Sequence, residues 1–117
     1  MKGSVRMYED VVFAEENGEL TARLSCELDH HTARRIREKI DERIFEIRPR
    51  TLVLDFSSVG FMDSSGIGLI LGRVECMKEV EGDVRLIGVS PSQMKLFRLS
   101  GIDRVQNLTI SKQGERK

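Results

Sequence analysis

Apolar positions change their spacing several times along this chain, and each change marks an element. Val11-Val12-Phe13-Ala14 is followed by Leu20, Ala22 and Leu24 in alternation with Thr21, Arg23 and Ser25, and Asn17-Gly18 lies between the two runs. Alternation at period two is the strand pattern, and Asn-Gly suits the left-handed positions of a tight turn. The chain is therefore expected to open with a β-hairpin. After Asp29 the period lengthens: Ala33, Ile36, Ile40, Ile44 and Ile47 fall on one face of a helix, with Arg34, Arg35, Glu38, Asp41 and Glu42 elsewhere, up to Arg48-Pro49-Arg50. Proline cannot continue a helix and restricts the residue before it, so the helix should end there.

Thr51-Leu52-Val53-Leu54-Asp55-Phe56 is a short, nearly continuous apolar run, as in a central strand covered on both faces. A turn at Ser57-Ser58-Val59-Gly60 leads to a second helix, Ser64 to Val80, with Gly82 placed to terminate it. Val84 to Val89 reads as another buried strand. In Ser90-Pro91-Ser92-Gln93, the Ser90 hydroxyl can serve the Gln93 amide while the Gln93 side chain reaches back, with Pro91 at the first helical position. A third helix should run from there to near Gly101, and Val105 to Ile110 should form a last edge strand. The order β-β-α-β-α-β-α-β predicts an α/β domain, a mixed sheet with helices packed on it, over residues 1–110. A polar tail, 111–117, is expected to be disordered.

Composition narrows the function. A chain of 117 residues is one domain, because domains typically hold roughly 100 to 150 residues. Its 19 basic residues balance 19 acidic ones, aromatics make up 5% and Trp is absent, which excludes a general nucleic-acid binder built on a basic excess and stacking rings. Cys26 and Cys76 stand alone, without the pairs of a disulfide framework or a zinc knuckle, so a reducing compartment is expected, with both thiols acting as small buried apolar groups. The first residues lack the apolar stretch of a signal peptide, and no apolar run approaches the roughly 20 residues that span a bilayer. A cytoplasmic protein without a membrane partner is the expectation.

The informative segment is Phe61-Met62-Asp63-Ser64-Ser65-Gly66-Ile67-Gly68-Leu69-Ile70-Leu71-Gly72-Arg73, between the central strand and the second helix. Loops that leave the carboxyl ends of strands and feed helix N-termini are where α/β folds place their sites. Asp63 or Ser64 can cap the helix, and its first amides, from about Ser65 to Ile67, are expected to be free for an anionic oxygen. Two readings follow: an ordinary cap, or a serine that accepts phosphate at Ser64 and so gains about −1.5 to −2 charges. A hydrolase triad with His30 or His31 is disfavoured, since Met62 stands where a nucleophile elbow needs glycine. The spacing of Gly66, Gly68 and Gly72 fits neither a dinucleotide fingerprint nor a P-loop; Gly68 and Gly72 are read as points where a neighbouring backbone approaches. Adjacent His30 and His31 point apart on a helix and make a poor metal pair. Asp29 should cap that helix, with one histidine packed and the other in solvent, and its charged residues forming a solvated face. No metal and no cofactor are expected.

Glu27-Leu28-Asp29-His30-His31-Thr32-Ala33, taken with the Phe61 to Arg73 segment, resembles the anti-sigma factor antagonists with a STAS domain, and the Asp-His-His sequence is closest to the sporulation branch. The resemblance spans about Val11 to Ile110. It implies a STAS-type fold and a partner switch with no enzymatic activity of its own. The unmodified protein would bind an anti-sigma factor that is also a serine kinase, freeing the sporulation sigma factor (sigma-F). Phosphorylation of the first serine of Asp-Ser-Ser-Gly, Ser64 here, would end the interaction, and a PP2C-type serine phosphatase would reset it. The implied contact surface comprises Asp29 and His30 with Met62, Asp63, Ser64, Ser65, Gly66 and Ile67, on a monomer. Asp29→Lys is then expected to weaken kinase binding with little loss of stability. The alternative is a STAS interaction module outside sporulation, a general-stress antagonist or a stressosome-like component.

Overall fold

In the computed structural model, which describes residues 3–112, the Asn17-Gly18 turn sits where alternation predicts it, with both residues at positive φ, 53° and 80°. It joins β2 (Val11–Glu16) to β3 (Glu19–Leu24). A strand that the pattern did not signal precedes them: β1 (Ser4–Met7) pairs antiparallel with β2, Val5 opposite Ala14 and Met7 opposite Val12. All four β1 residues are exposed, so no buried alternation marks it. After α1 (His30–Ile47), β4 (Thr51–Asp55), α2 (Ser65–Glu79), β5 (Asp83–Val89) and α3 (Pro91–Ser100), a short 3-10 turn at Ile102–Arg104 leads into β6 (Leu108–Lys112). The last strand thus starts later than Val105 and crosses the boundary placed at 110; residues 113–117 lie outside the described ones.

The strands follow one another across a six-stranded sheet in the order β1-β2-β3-β4-β5-β6, antiparallel over the first three and parallel from β3 to β6. Register puts Phe13, Ala22, Leu54 and Leu86 in one row and Leu20, Leu52, Val84 and Leu108 in another. Both rows are buried with Ile36, Ile40 and Ile44 of α1, Ile70, Val74 and Met77 of α2, and Phe97 of α3. Phe97 meets Phe56 edge to face at 5.8 Å between ring centroids. On the opposite face, Thr21, Arg85 and Asp55 are only half-buried, so β4 is fully covered on that side at Val53 alone.

The helix ends follow the cap chemistry at α3 but not at the end of α2. Ser90 Oγ accepts from Gln93 N, Gln93 Oε1 accepts from Ser90 N, and Gly101 closes α3 at φ 85°. At the end of α2, however, the left-handed residue is Glu81, and Gly82 serves by its backbone, its N–H donating to the Met77 carbonyl. The polar face of α1 is also not uniformly solvated. Arg43 is buried, and Asp41 pairs with Arg73 of α2, Nε to Oδ1 at 2.8 Å. Neither cysteine is fully buried: Cys26 Sγ lies near the Asp10 carbonyl, Cys76 Sγ near Asp41 Oδ1, and burial pushes both thiols up.

Candidate functional site at the start of α2

β4 delivers the chain to a loop that other elements then hold in place. Asp55 Oδ1 accepts from Ser57 N at 2.9 Å, and the Val59 carbonyl accepts from Gln93 Nε2 at 3.1 Å, tying the loop to α3. The loop next runs beside the segment that precedes α1. Leu28 N donates to the Phe61 carbonyl and Asp63 N to the Leu28 carbonyl, an isolated parallel bridge between Leu28 and Met62. With Leu28 fully buried, this bridge brings the two sequence motifs together and sets Asp29 next to the Asp63-Ser64 turn. Nothing in the local sequence announces the bridge, because it joins residues far apart in the chain.

Asp29 caps α1 fully: Oδ1 accepts from His31 N and Thr32 N, and Asp29 N donates to Thr32 Oγ1. The bond from the Thr32 amide, above all, holds the Asp29 carboxyl below its ordinary value of 3.8. A folded-state value below the unfolded one contributes stability that is present above 3.8 and disappears as pH falls through the lower, folded value. Asp29→Asn, which keeps an acceptor but no charge, should therefore diverge from the parent in thermal melts above that range and converge with it in stronger acid. A constant gap across the acid range would show that the carboxylate charge is immaterial. Asp29 caps α1 as expected, so Asp29→Lys removes that cap together with any contact, and its binding is to be compared with a melt of the same variant. Both His30 and His31 are exposed, their rings 5.7 Å apart, so neither is packed into the core. Among the described residues no group of three or more His, Cys, Asp or Glu could hold a metal ion.

At α2 the cap falls to Asp63. Its Oδ1 accepts from Ser65 N at 2.7 Å, whereas Ser64, although it stands at the cap position, has helical backbone angles and makes no side-chain cap bond. Gly66 N donates to the Asp63 carbonyl and Ile67 N to the Ser64 carbonyl. The expected free amides from Ser65 to Ile67 are consequently all engaged, which removes the ready anion cradle. Ser64 is exposed, and its hydroxyl bonds to nothing among the described residues, His30 and His31 included. Ser64→Ala should leave the melting temperature within about 3 °C of the parent, since surface changes away from caps and cores stay within about 0.5 kcal/mol. A drop of several degrees would mean that the hydroxyl supports the fold.

The glycines divide differently from the reading by spacing. A Cβ at Gly68 or Gly72 would meet nothing within 4 Å, so no backbone approaches there. The crowded position is Gly66, where a Cβ would lie 2.5 Å from Met62 Cγ and 3.6 Å from Leu28 Cδ1. Gly66 thus lets Met62, the bridge residue, fold over the start of α2. Sequence reasoning missed Leu28 and the arginines of α1 that face α2; the helical spacing of Arg34 and Arg37 after His30 was the available signal for the latter.

A family model described as STAS domain matches residues 10–113. The chain is also 42% identical over 80 residues to the anti-sigma F factor antagonist of Lysinibacillus sphaericus, covering 68% of each. The chain belongs to the STAS-domain family of anti-sigma factor antagonists. Among solved structures it is similar to the anti-sigma factor antagonist SpoIIAA in its unphosphorylated form, at 33% identity and a TM-score of 0.69 over 94% of this chain and 88% of that one. The phosphorylated form of SpoIIAA, described as a Bacillus cell fate determinant, matches at 32% identity and a TM-score of 0.62 over 94% and 91%. The mixed sheet and three helices described above are the STAS fold of those structures, and Ser64 sits at the start of the second helix of this STAS domain. No helix among the described residues is long and apolar enough to cross a membrane.

Proposed function

We propose that this STAS domain is the antagonist arm of a sporulation partner switch. Unmodified, it binds an anti-sigma factor that is also an ATP-dependent serine kinase and so frees the sporulation sigma factor, sigma-F. That kinase phosphorylates Ser64, the complex dissociates, and a PP2C-type serine phosphatase restores the hydroxyl. The observation that carries the reading is the division of labour at Asp63-Ser64: Asp63 performs the capping, which leaves Ser64 exposed and unbonded, and the Leu28–Met62 bridge sets Asp29 beside it. The existence of SpoIIAA in unphosphorylated and phosphorylated forms supports it as well. Contacts to the kinase would come from Asp29 and His30 at the start of α1 and from Met62, Asp63, Ser64, Ser65, Gly66 and Ile67.

In this scheme the chemistry belongs to the kinase and the phosphatase, and the chain presents a hydroxyl on a fixed turn. Incubation with the cognate kinase and ATP should add one phosphate, located on Ser64 by peptide mass mapping. A phosphate on Ser65, or uptake undiminished in Ser64→Ala, would overturn the assignment.

A further inference from the structure

The N-terminal halves of α1 and α2 leave an open groove of about 440 Å³ between them, walled by His30, Arg34 and Arg37 on one side and Ser65, Gly68 and Leu69 on the other. It begins one residue from Ser64. His30, Arg34 and Arg37 are spaced by four and three residues, which stacks them along one face of α1. Among the described residues no carboxylate lines the groove. Arg35 and Lys39 of the same helix are held by Asp10, and Arg43 by Glu46, whereas Arg34 and Arg37 pair with nothing among the described residues. In a chain whose charges balance to zero, this is an uncompensated cationic strip.

Gly68 adds an independent observation. Glycine inside a helix lowers helix stability relative to alanine. A Cβ at Gly68 would touch nothing within 4 Å, so packing does not demand the glycine. Its missing side chain leaves the α2 wall of the groove low at that point.

We infer that this groove receives a carboxylate-bearing, acidic segment of the anti-sigma factor, alongside the surface that engages Ser64; the inference rests on the partner-switch reading. Guanidinium forks one helical turn apart match side-chain carboxylates in bidentate geometry. The apolar floor of Ala33 and Leu69 accepts the aliphatic stems of such a segment. A phosphate or nucleic-acid ligand fits less well, because the amides of Ser65, Gly66 and Ile67 are already engaged and no Phe, Tyr or Trp among the described residues lines the groove.

The test measures binding of the cognate anti-sigma factor to the parent protein, Arg34→Glu/Arg37→Glu, Arg34→Lys/Arg37→Lys and Gly68→Gln, at low and high salt, with Ser64 phosphorylation mapped in parallel. The double Glu variant should bind about 30-fold more weakly, chiefly through slower association, with the loss shrinking at high salt. The Lys pair should recover most of the affinity. Gly68→Gln should melt higher than the parent yet bind more weakly, since it fills the groove. If the parent binds and is phosphorylated on Ser64 while the double Glu variant binds equally well, the groove proposal falls and the partner switch stands. If the parent does not bind the anti-sigma factor, both fall. If the parent also binds a 20-nucleotide RNA, and the double Glu variant loses that binding while keeping its anti-sigma affinity, the groove is assigned to nucleic acid and the proposal is overturned.

Discussion

Phosphorylation of Ser64 is expected to weaken binding to the anti-sigma factor by about 100-fold or more, measured by titration of the labelled partner with modified and unmodified protein. The phosphate brings about −1.5 to −2 charges and three acceptor oxygens. Within its own turn it finds little to satisfy it, because the amides of Ser65, Gly66 and Ile67 are bonded there and the Asp63 carboxylate stands beside it, and turning toward Arg34 would set it against the acidic segment of the partner. The turn therefore has no cause to refold around the group, and its charge is carried into the interface. Desolvating it there costs several kcal/mol, and each 1.4 kcal/mol is tenfold in affinity, so about 3 kcal/mol already gives the stated factor. Ser64→Asp, with a smaller and singly charged group, should reproduce only part of the loss. Equal affinity of the phosphorylated and unmodified forms would remove the switch from Ser64.

Asp41→Ala is expected to lower stability by about 2–3 kcal/mol, read in urea unfolding as a lower midpoint with an unchanged slope. Its partner Arg73 has a side chain only 5% exposed, and Asp41 one that is 30% exposed, with Nε and Oδ1 2.8 Å apart. Cys76 Sγ also lies 3.4 Å from the same carboxylate oxygen. Removing one partner of a buried pair costs about 3–5 kcal/mol when both charges are dry; the partial exposure of Asp41 screens the pair and brings the figure down. The mechanism is a stranded guanidinium, so replacing Arg73 by Leu in the Asp41→Ala background should restore much of the loss. A destabilisation that persists undiminished in the double variant would point to packing by Asp41 instead. The pair bridges α1 and α2 below the cationic groove, so its loss should also disturb the spacing of the groove walls.

Much of the architecture is legible in the sequence. The hairpin, α1, the buried β4, and α3 with its Ser90–Gln93 box and Gly101 follow from signals that act within a few residues, and the structure places them where those signals do. β1 was not legible, because a fully exposed edge strand carries no burial pattern and exists by pairing with β2. At the site, the loop and the candidate serine were legible, but not which of Asp63 and Ser64 would act as the cap. That depends on the backbone angles of Ser64, which put it in the helical region and leave the amide of Ser65 to Asp63.

By itself the sequence determined the order of elements, their caps, and the two motifs that place the chain among the antagonists, since periodicity and capping chemistry are local. Only the tertiary structure decided that Leu28 bridges to Met62, that Asp41 meets Arg73, that Gly66 rather than Gly68 or Gly72 is the crowded glycine, and that Arg34 and Arg37 of α1 share a groove with Ser65 and Leu69 of α2. Each of these joins residues on different elements, and the register of a parallel sheet, set by burial across the whole core, fixes which of them meet.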